Sequence, residues 1–307
     1  MNARTLPLLA RLCMTWAGLA AMSAGAADAG PAATGTTPGA RLGFEQIEFD
    51  SLDTTGLFPP KPVKISGYLL KSTTPGKAPA AVLAPACNGL LSPGGDLILP
   101  HYRNMAKMLN EMGLAVLLVD GFNPRGFKEI CTQPARGRDI DTATRMKDSL
   151  GALAYLRTRS DVSPEQIVLL SWGAAGSFQA MAAEPSRADK AGGSFKAAVM
   201  FYPDCSSVSG RYTHAAPIQV LVGDKDTWNP PAACQTLTAQ RSPGSAAFEL
   251  KVYPGAFHGF DQPRAPSLRT DTPFGPVMTG GNPEAAADAN KVTASFLAPF
   301  VQPAKAP

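Results

Sequence analysis

The sequence is poor in histidine and has no C-x-x-C pair. Only three histidines occur among 307 residues, and they do not cluster. Structural and catalytic zinc sites draw on groups of Cys and His ligands at short spacings. The sequence therefore predicts no metal site, and no motif in it indicates a cofactor.

Long apolar runs are also missing, and the charge is nearly balanced. The stretch Leu12–Met22 is too short to cross a bilayer. Arg4 and Arg11 precede it and an A-x-A sequence follows, which is typical of a secretory signal peptide over residues 1–26. Its removal leaves 281 residues with a net charge of +2 and no basic stripe, so nucleic acid is not an implied partner. We predict an exported protein, periplasmic or secreted, without a membrane span in the mature chain.

The remaining chain has the composition of one globular domain. Hydrophobic residues make up 45% of the sequence and charged residues 17%, which is typical of folded rather than disordered proteins. Residues 27–44 predict a flexible leader rich in small residues and Pro. We predict a single domain over residues 45–300 and a short tail over residues 301–307.

Four cysteines follow the signal segment, and they are expected to form disulfides. An even number of Cys in an exported chain favours pairing, and spacing alone leaves three connectivities open. Strand order favours Cys87–Cys131 and Cys205–Cys234, because each pair follows two strands that we expect to be neighbours. The alternative is buried free thiols, which pack as small apolar residues.

Apolar strands alternate with helices through the middle of the chain. Strands are predicted at Gln46–Phe49, Val63–Leu69, Ala80–Ala84, Leu114–Val119, Gln166–Leu170, Ala197–Tyr202, Ile218–Val222 and Phe248–Val252, and helices at Tyr102–Met112, Asp141–Arg159 and Pro283–Phe300. The inner strands are apolar throughout, as in sheets covered on both faces. The pattern predicts an α/β fold with a doubly wound, mostly parallel sheet, and a site at the carboxyl ends of its strands. Residues 261–282 have no clear period and predict either a lid or an ordinary surface loop.

A turn of small residues follows the buried strand Gln166–Leu170. A nucleophile elbow requires small residues, because its strand-to-helix turn is sharp. The turn here consists of Gly173-Ala174-Ala175-Gly176, which meets that requirement. The slot for the nucleophile falls on Gly173, which has no side chain. The alternative is a Gly/Ala helix start that packs tightly on the sheet.

An acid and a base follow in the order of the α/β-hydrolase triad, with Asp226 before His258. His258 follows a strand and lies between Phe257 and Gly259, whereas His101 and His214 are predicted to be surface residues. Asp226 is expected to orient the imidazole, and the competing carboxylate Asp224 to cap the turn.

Two backbone N–H groups are candidates for an oxyanion hole. The N–H of Ala174 lies at the predicted helix start, and a second N–H is expected near Cys87, in the loop after the third strand. With Asp226 and His258 in order, these groups predict a hydrolase site around Gly173.

These motifs resemble the dienelactone hydrolase family of α/β hydrolases over about residues 45–300. The resemblance is carried by Cys87-Asn88-Gly89-Leu90, Val119-Asp120-Gly121-Phe122, Pro124-Arg125-Gly126, Arg145, Asp148, Ser171 to Gly176, Tyr202-Pro203-Asp204-Cys205, Gly223 to Asp226 and Phe257-His258-Gly259-Phe260. It implies an α/β-hydrolase fold and a Cys or Ser nucleophile that acts with Asp and His on lactones or esters.

The sequence departs from the family pattern at two points of the site. Gly173 stands in the nucleophile slot and Ser171 in the place of the preceding glycine, and Pro85-Ala86 stands where relatives usually carry His-Gly. Ser171 is an alternative nucleophile, although the bulky Leu169 would crowd an elbow there. Cys87 and Ser177 are further alternatives.

Two functions remain open at this point. One is an ester or lactone hydrolase that acts through Ser171, or through a water held in the Gly173 slot with His258 as general base. The other is a catalytically impaired relative that binds a small carbonyl or carboxylate ligand. An interaction protein that uses only the scaffold has no motif in its favour.

Overall fold

The computed structural model describes residues 43–134, 137–182, 184–208 and 212–302. The predicted signal segment 1–26, most of the leader and the end of the tail lie outside the described residues. Within the described ranges, no helix combines the length and the apolar character that crossing a membrane requires.

An eight-stranded sheet forms the centre of the fold. Its strands are β1 (Phe44–Thr55), β2 (Lys61–Leu70), β3 (Ala78–Ala84), β4 (Ala115–Asp120), β5 (Val162–Trp172), β6 (Ala198–Phe201), β7 (Ile218–Gly223) and β8 (Phe248–Tyr253). Their order in the sheet is β1-β2-β4-β3-β5-β6-β7-β8. Strand β2 is antiparallel to both neighbours, and the pairs from β4 to β8 are parallel. The predicted α/β-hydrolase fold is confirmed.

Helices cover both faces of this sheet. They are α1 (Pro100–Glu111), α2 (Thr142–Thr158), α3 (Ser177–Met181), α4 (Pro185–Ala191), α5 (Pro231–Gln240) and α6 (Pro283–Leu297). Helices α1 and α6 contribute to the core on one face, and α2 and α5 to the core on the other. Because both faces are covered, every residue of β3, β4 and β7 is buried.

Helix α3 is the helix expected after the Gly173–Gly176 turn, whereas α4 and α5 were absent from the sequence prediction. Helix α4 is short, and α5 buries only Cys234 and Leu237, so it has almost no apolar stripe. Segment 261–282 contains a further element, a hairpin of two three-residue strands, β9 (Ser267–Arg269) and β10 (Val277–Thr279). Strands of that length give no detectable period.

The two disulfides have the predicted pairing. Cys87–Cys131 joins the loops that follow the neighbouring strands β3 and β4. Cys205–Cys234 joins the segment after β6 to helix α5, which follows the neighbouring β7. Each bond therefore connects elements at the carboxyl edge of adjacent parallel strands.

Candidate active site

The residues predicted to carry chemistry meet at the carboxyl edge of the sheet. His258 and Gly173 line one cavity of about 130 Å³, together with Cys87 and Ala174. We call it the Gly173 cavity. A larger open groove of about 550 Å³ runs along α6 and is lined by none of these residues.

The side chains of His258 and Asp226 form a buried pair. The Nδ1 atom of His258 lies 2.8 Å from Oδ2 of Asp226. The other carboxylate oxygen, Oδ1, accepts backbone N–H groups of Trp228 at 2.9 Å and Asn229 at 2.8 Å. These bonds fix the carboxylate, which in turn fixes the imidazole ring and leaves Nε2 for chemistry.

Two aromatic rings enclose the imidazole. The ring of Trp228 is nearly parallel to that of His258, with centroids 4.9 Å apart, and the ring of Tyr202 lies 4.4 Å away at a tilt. Tyr202 has a φ of +39°, which is unusual for a residue with a side chain. Its carbonyl accepts the side-chain N–H of Asn229 at 2.7 Å. Burial raises the pKa of the Tyr202 hydroxyl well above its usual range, and the Asp261 carboxylate adds to that shift.

Gly173 occupies the sharp turn between β5 and α3. Its φ is +60°, in the left-handed region where residues with a Cβ are strained. An ideal Cβ at Gly173 would lie 3.6 Å from the Cβ of Ala86, an ordinary contact, so there is room for a small side chain.

Gly176 explains why this turn needs small residues. A Cβ there would lie only 2.5 Å from the carbonyl oxygen of Thr142, at the start of α2. The start of α3 can approach α2 this closely because position 176 is glycine.

The two predicted oxyanion-hole donors, Cys87 and Ala174, both line the Gly173 cavity. Among the described residues, neither backbone N–H donates a hydrogen bond to the protein. The neighbouring N–H of Ala86 is taken up by the hydroxyl of Tyr102 at 2.8 Å, and that hydroxyl donates to Asn88. Two unpaired N–H groups at one cavity can hold a carbonyl oxygen as it becomes negative.

Arg145 connects the two loops that carry these donors. Its guanidinium donates to the carbonyl oxygens of Pro85 and Ala174. The residue is buried, and burial lowers the pKa of its guanidinium to about 10. A single side chain of α2 therefore sets the spacing between the β3 loop and the elbow.

The alternative nucleophiles lie away from the cavity or are occupied. Ser171 belongs to β5 and is 0% exposed, and its Oγ has no hydrogen-bond partner among the described residues. Ser177 is also buried, with an unpaired Oγ. The sulfur of Cys87 is bonded to Cys131.

A second, smaller cavity adjoins His258. It has a volume of about 60 Å³ and is lined by Cys87, Cys131, His258 and Arg264, among others. We call it the Arg264 cavity. The Arg264 guanidinium donates to the oxygens of Gln262, Ser267 and Thr279, which are all uncharged. At the Gly173 cavity, Arg138 donates to the carbonyl oxygen of Gln133.

Segment 261–282 forms one wall of the site. Arg269 lies over the ring of Trp228 at 5.5 Å, and the ring of Phe274 approaches the same tryptophan at 6.4 Å. Of the two interpretations offered by the sequence, the packing favours a cover over the ordinary surface loop.

Several residues of the site were not identified from the sequence. No motif in the sequence indicated a role for Trp228, Asp261 or Arg264. Arg145 was named only among the residues that carry the family resemblance. The sequence holds one signal for Trp228, which lies two residues after Asp226. A residue so close to the predicted acid is expected to lie near His258 as well. His101 and His214 are both buried, which corrects their prediction as surface residues. No group of three or more His, Cys, Asp or Glu in the described ranges could hold a metal ion.

Comparisons with known proteins bear on the family and the fold of the chain. Residues 65–301 match the dienelactone hydrolase family. A Bradyrhizobium protein named "Probable 2-oxo-3-(5-oxofuran-2-ylidene)propanoate lactonase" is 22% identical over 209 residues, which cover 64% of this chain and 78% of that protein.

Solved structures share the fold at low sequence identity. Esterase 2 of Thermogutta terrifontis, phosphorylated by paraoxon, has a TM-score of 0.57 at 15% identity, covering 85% of this chain and 96% of that one. A dienelactone hydrolase-like promiscuous phosphotriesterase from metagenomic libraries has a TM-score of 0.58 at 16% identity, covering 85% and 100%.

Proposed function

Because the chain belongs to the dienelactone hydrolase family, we propose that its site binds the carbonyl group of a small ester or lactone and hydrolyses it by attack of water. The observation that carries this proposal is Gly173, a residue without a side chain, in one cavity with His258. The space of a nucleophile is open there, and the base that would activate it is present.

In this mechanism His258 acts as general base. Asp226 accepts a hydrogen bond from Nδ1–H of the imidazole, so Nε2 is free to take a proton from a water in the Gly173 slot. The water attacks the carbonyl carbon, and the N–H groups of Cys87 and Ala174 stabilise the negative oxygen. The proton held by His258 then goes to the leaving alkoxide.

The expected rate is modest because no covalent intermediate divides the reaction into two easier steps. Serine proteases that lack a triad member retain roughly 10³–10⁴-fold acceleration over water from their remaining parts. We expect a similar order for the natural chain, with activated esters as the most responsive substrates.

A second candidate function is binding without turnover, with a small carboxylate as the ligand. Arg264 donates only to uncharged oxygens among the described residues, so its charge has no carboxylate partner there. A guanidinium in that state favours a carboxylate ligand with fork geometry. His258 and the N–H groups would then position the ligand without reacting with it.

The experiment that tests the first function is p-nitrophenyl acetate hydrolysis by the natural chain and three variants. We expect His258→Ala to abolish the slow natural turnover. Gly173→Ser should raise turnover by orders of magnitude, because Ser and His then act as a nucleophile pair. Gly173→Ala is the matched control, since it carries the same backbone strain without a hydroxyl.

The outcomes separate the two functions. Turnover that is unchanged in His258→Ala contradicts water attack at this site. Natural turnover at the background rate, together with a raised melting temperature in small carboxylates that is lost in Arg264→Gln, favours the binding function.

Export of the chain belongs to the same proposal. The signal-like segment 1–26 and the two disulfides support it. N-terminal sequencing of the secreted or periplasmic product should start at Ala27, and recovery of an uncleaved chain would contradict it.

A further inference from the structure

One of the two disulfides lies inside the candidate active site. Cys87 lines both the Gly173 cavity and the Arg264 cavity, and so does His258. Its partner Cys131 lines the Arg264 cavity. The other pair, Cys205 and Cys234, is buried and lines neither cavity. The Cys87–Cys131 pair therefore borders the candidate site, whereas the Cys205–Cys234 pair does not.

From this placement we infer that Cys87 is a latent nucleophile, released for acyl transfer when a dithiol reduces the Cys87–Cys131 bond. The inference rests on the proposed function, because it uses the same base and the same N–H groups. It differs in the attacking atom, which is the sulfur of Cys87. The added activity is ester hydrolysis by a cysteine nucleophile, and it is absent while the disulfide is intact.

The position of Cys87 does not depend on the disulfide alone. The backbone N–H of Ile130 donates to the carbonyl of Cys87 at 2.8 Å. The N–H of Ala86 donates to Tyr102 at 2.8 Å, and Gly89 N–H donates to the carbonyl of Ala86 at 3.1 Å. Reduction would therefore free the sulfur while three hydrogen bonds keep the loop in place.

Cys87 also lies next to the empty nucleophile slot. Its neighbour Ala86 is the residue whose Cβ would contact a Cβ at Gly173, at 3.6 Å. The Arg264 cavity, with a volume of about 60 Å³, is lined by both Cys87 and His258. A nucleophile whose own N–H forms part of the oxyanion hole is the arrangement of serine proteases.

On the side of the Arg264 cavity, the charge around Cys87 favours a thiolate. Arg264 and Arg269 line that cavity and no carboxylate does, whereas Asp141 and Asp204 line the Gly173 cavity beside Arg138. Cationic neighbours and a histidine stabilise a thiolate relative to a thiol. The same surroundings favour attack on a substrate whose carbonyl oxygen becomes negative.

The reaction balances as follows. A dithiol transfers two electrons and two protons to the disulfide, which gives two protein thiols and an oxidised dithiol. The Cys87 sulfur then forms a bond to the ester carbonyl carbon as its proton passes to His258. The carbon–alkoxide bond breaks, and the alkoxide leaves with that proton. Water, deprotonated by His258, hydrolyses the thioester and regenerates the thiol.

The test compares two full-length variants that each free one cysteine. Cys131→Ala frees Cys87, and alanine is a small apolar replacement at this buried position. Cys234→Ala is the matched control, since it frees the buried Cys205. Each is mixed with p-nitrophenyl acetate, and the acetyl group is located by peptide mass spectrometry. We expect acetylation of Cys87 at least ten times faster than acetylation of Cys205, and at least ten times slower after a further His258→Ala change.

Absence of acetyl on Cys87 together with no His258-dependent release of p-nitrophenolate, or an acetylation rate that His258→Ala does not change, overturns the inference. If Cys131→Ala does not fold, the natural protein is reduced under native conditions with tris(2-carboxyethyl)phosphine and the same acetyl position is read. Failure of the proposed function can be distinguished from failure of this inference. The proposed function is tested by ester hydrolysis in the oxidised natural chain and in Gly173→Ser, and in both of these Cys87 stays bonded to Cys131.

Discussion

The carboxylate of Asp261 accepts the indole N–H of Trp172 at 2.7 Å. Its other oxygen accepts the hydroxyl of Tyr202 at 2.9 Å. Trp172 directly precedes Gly173, and Tyr202 packs against His258. One carboxylate therefore connects the residue before Gly173 to the aromatic surroundings of His258.

We expect Asp261→Ala to destabilise the protein by about 2 kcal/mol or more. Both Trp172 and Tyr202 are fully buried, and each unsatisfied buried polar group costs about 1–3 kcal/mol. Asp261→Asn should cost much less, because the amide can accept from the indole and donate to the hydroxyl oxygen. Urea unfolding measures both, and equal losses in the two variants would contradict this role for the carboxylate.

Ser171→Ala is expected to leave hydrolysis unchanged. The Ser171 hydroxyl is buried in β5 without a hydrogen-bond partner among the described residues, so it cannot meet a substrate. Removal of an unsatisfied hydroxyl should also change the free energy of unfolding by less than about 1 kcal/mol. Turnover of p-nitrophenyl acetate is the measurement, and a tenfold loss would restore Ser171 as the nucleophile.

The stability of the fold is expected to fall as the pH drops below about 6.5, where unfolded histidines take up protons. Burial lowers the pKa of His101, and also that of His214, in the folded chain. The unfolded state therefore binds more protons below pH 6.5, and the free energy of unfolding falls until the lowered folded-state pKa is passed.

His101→Phe tests the part that position 101 contributes. The imidazole packs at a tilt against the ring of Tyr102, with centroids 3.8 Å apart, and its Nε2 has no partner among the described residues, so a phenyl ring can replace it. Urea midpoints at pH 7.5, 6.5 and 5.5 should depend less on pH in this variant. An unchanged dependence would place the proton uptake elsewhere.

The sequence was sufficient to predict the partners Asp226 and His258. Parallel strands bring their carboxyl ends to one edge of a sheet, so residues after β7 and β8 meet whatever the details of packing. The position of Gly173 in a turn at the same edge follows from the same rule and from the small residues around it. The disulfide pairing was predictable for this reason too, because Cys87 and Cys131 follow adjacent strands.

The contacts of Asp261 and Arg145 could not be predicted in this way. Asp261 reaches Trp172 across 89 positions of the chain, and nothing in the local pattern specifies the side-chain directions that join them. The burial of Ser171 could not be predicted either. In a strand that is buried on both faces, every residue is apolar or buried, so the sequence pattern does not indicate which side chains point toward the site.

Arg145 offers the sharpest test of the oxyanion hole. In the Gly173→Ser background we expect Arg145→Met to lower kcat by roughly 10²-fold with little change in KM. The reason is that its bonds to Pro85 and Ala174 set the spacing of the two N–H donors, and a shift of about 1 Å costs that much. Arg145→Lys should lose less, because an ammonium keeps the charge.

Arg157→Met is the matched control for that experiment. Arg157 also donates to a backbone carbonyl, that of Pro164, but at the start of β5, far along the strand from the elbow. We expect this variant to lower the urea midpoint and to leave kcat unchanged. If the two methionine variants lower kcat equally, Arg145 acts only through stability; if Arg145→Met alone lowers it, the geometry of the hole depends on this guanidinium.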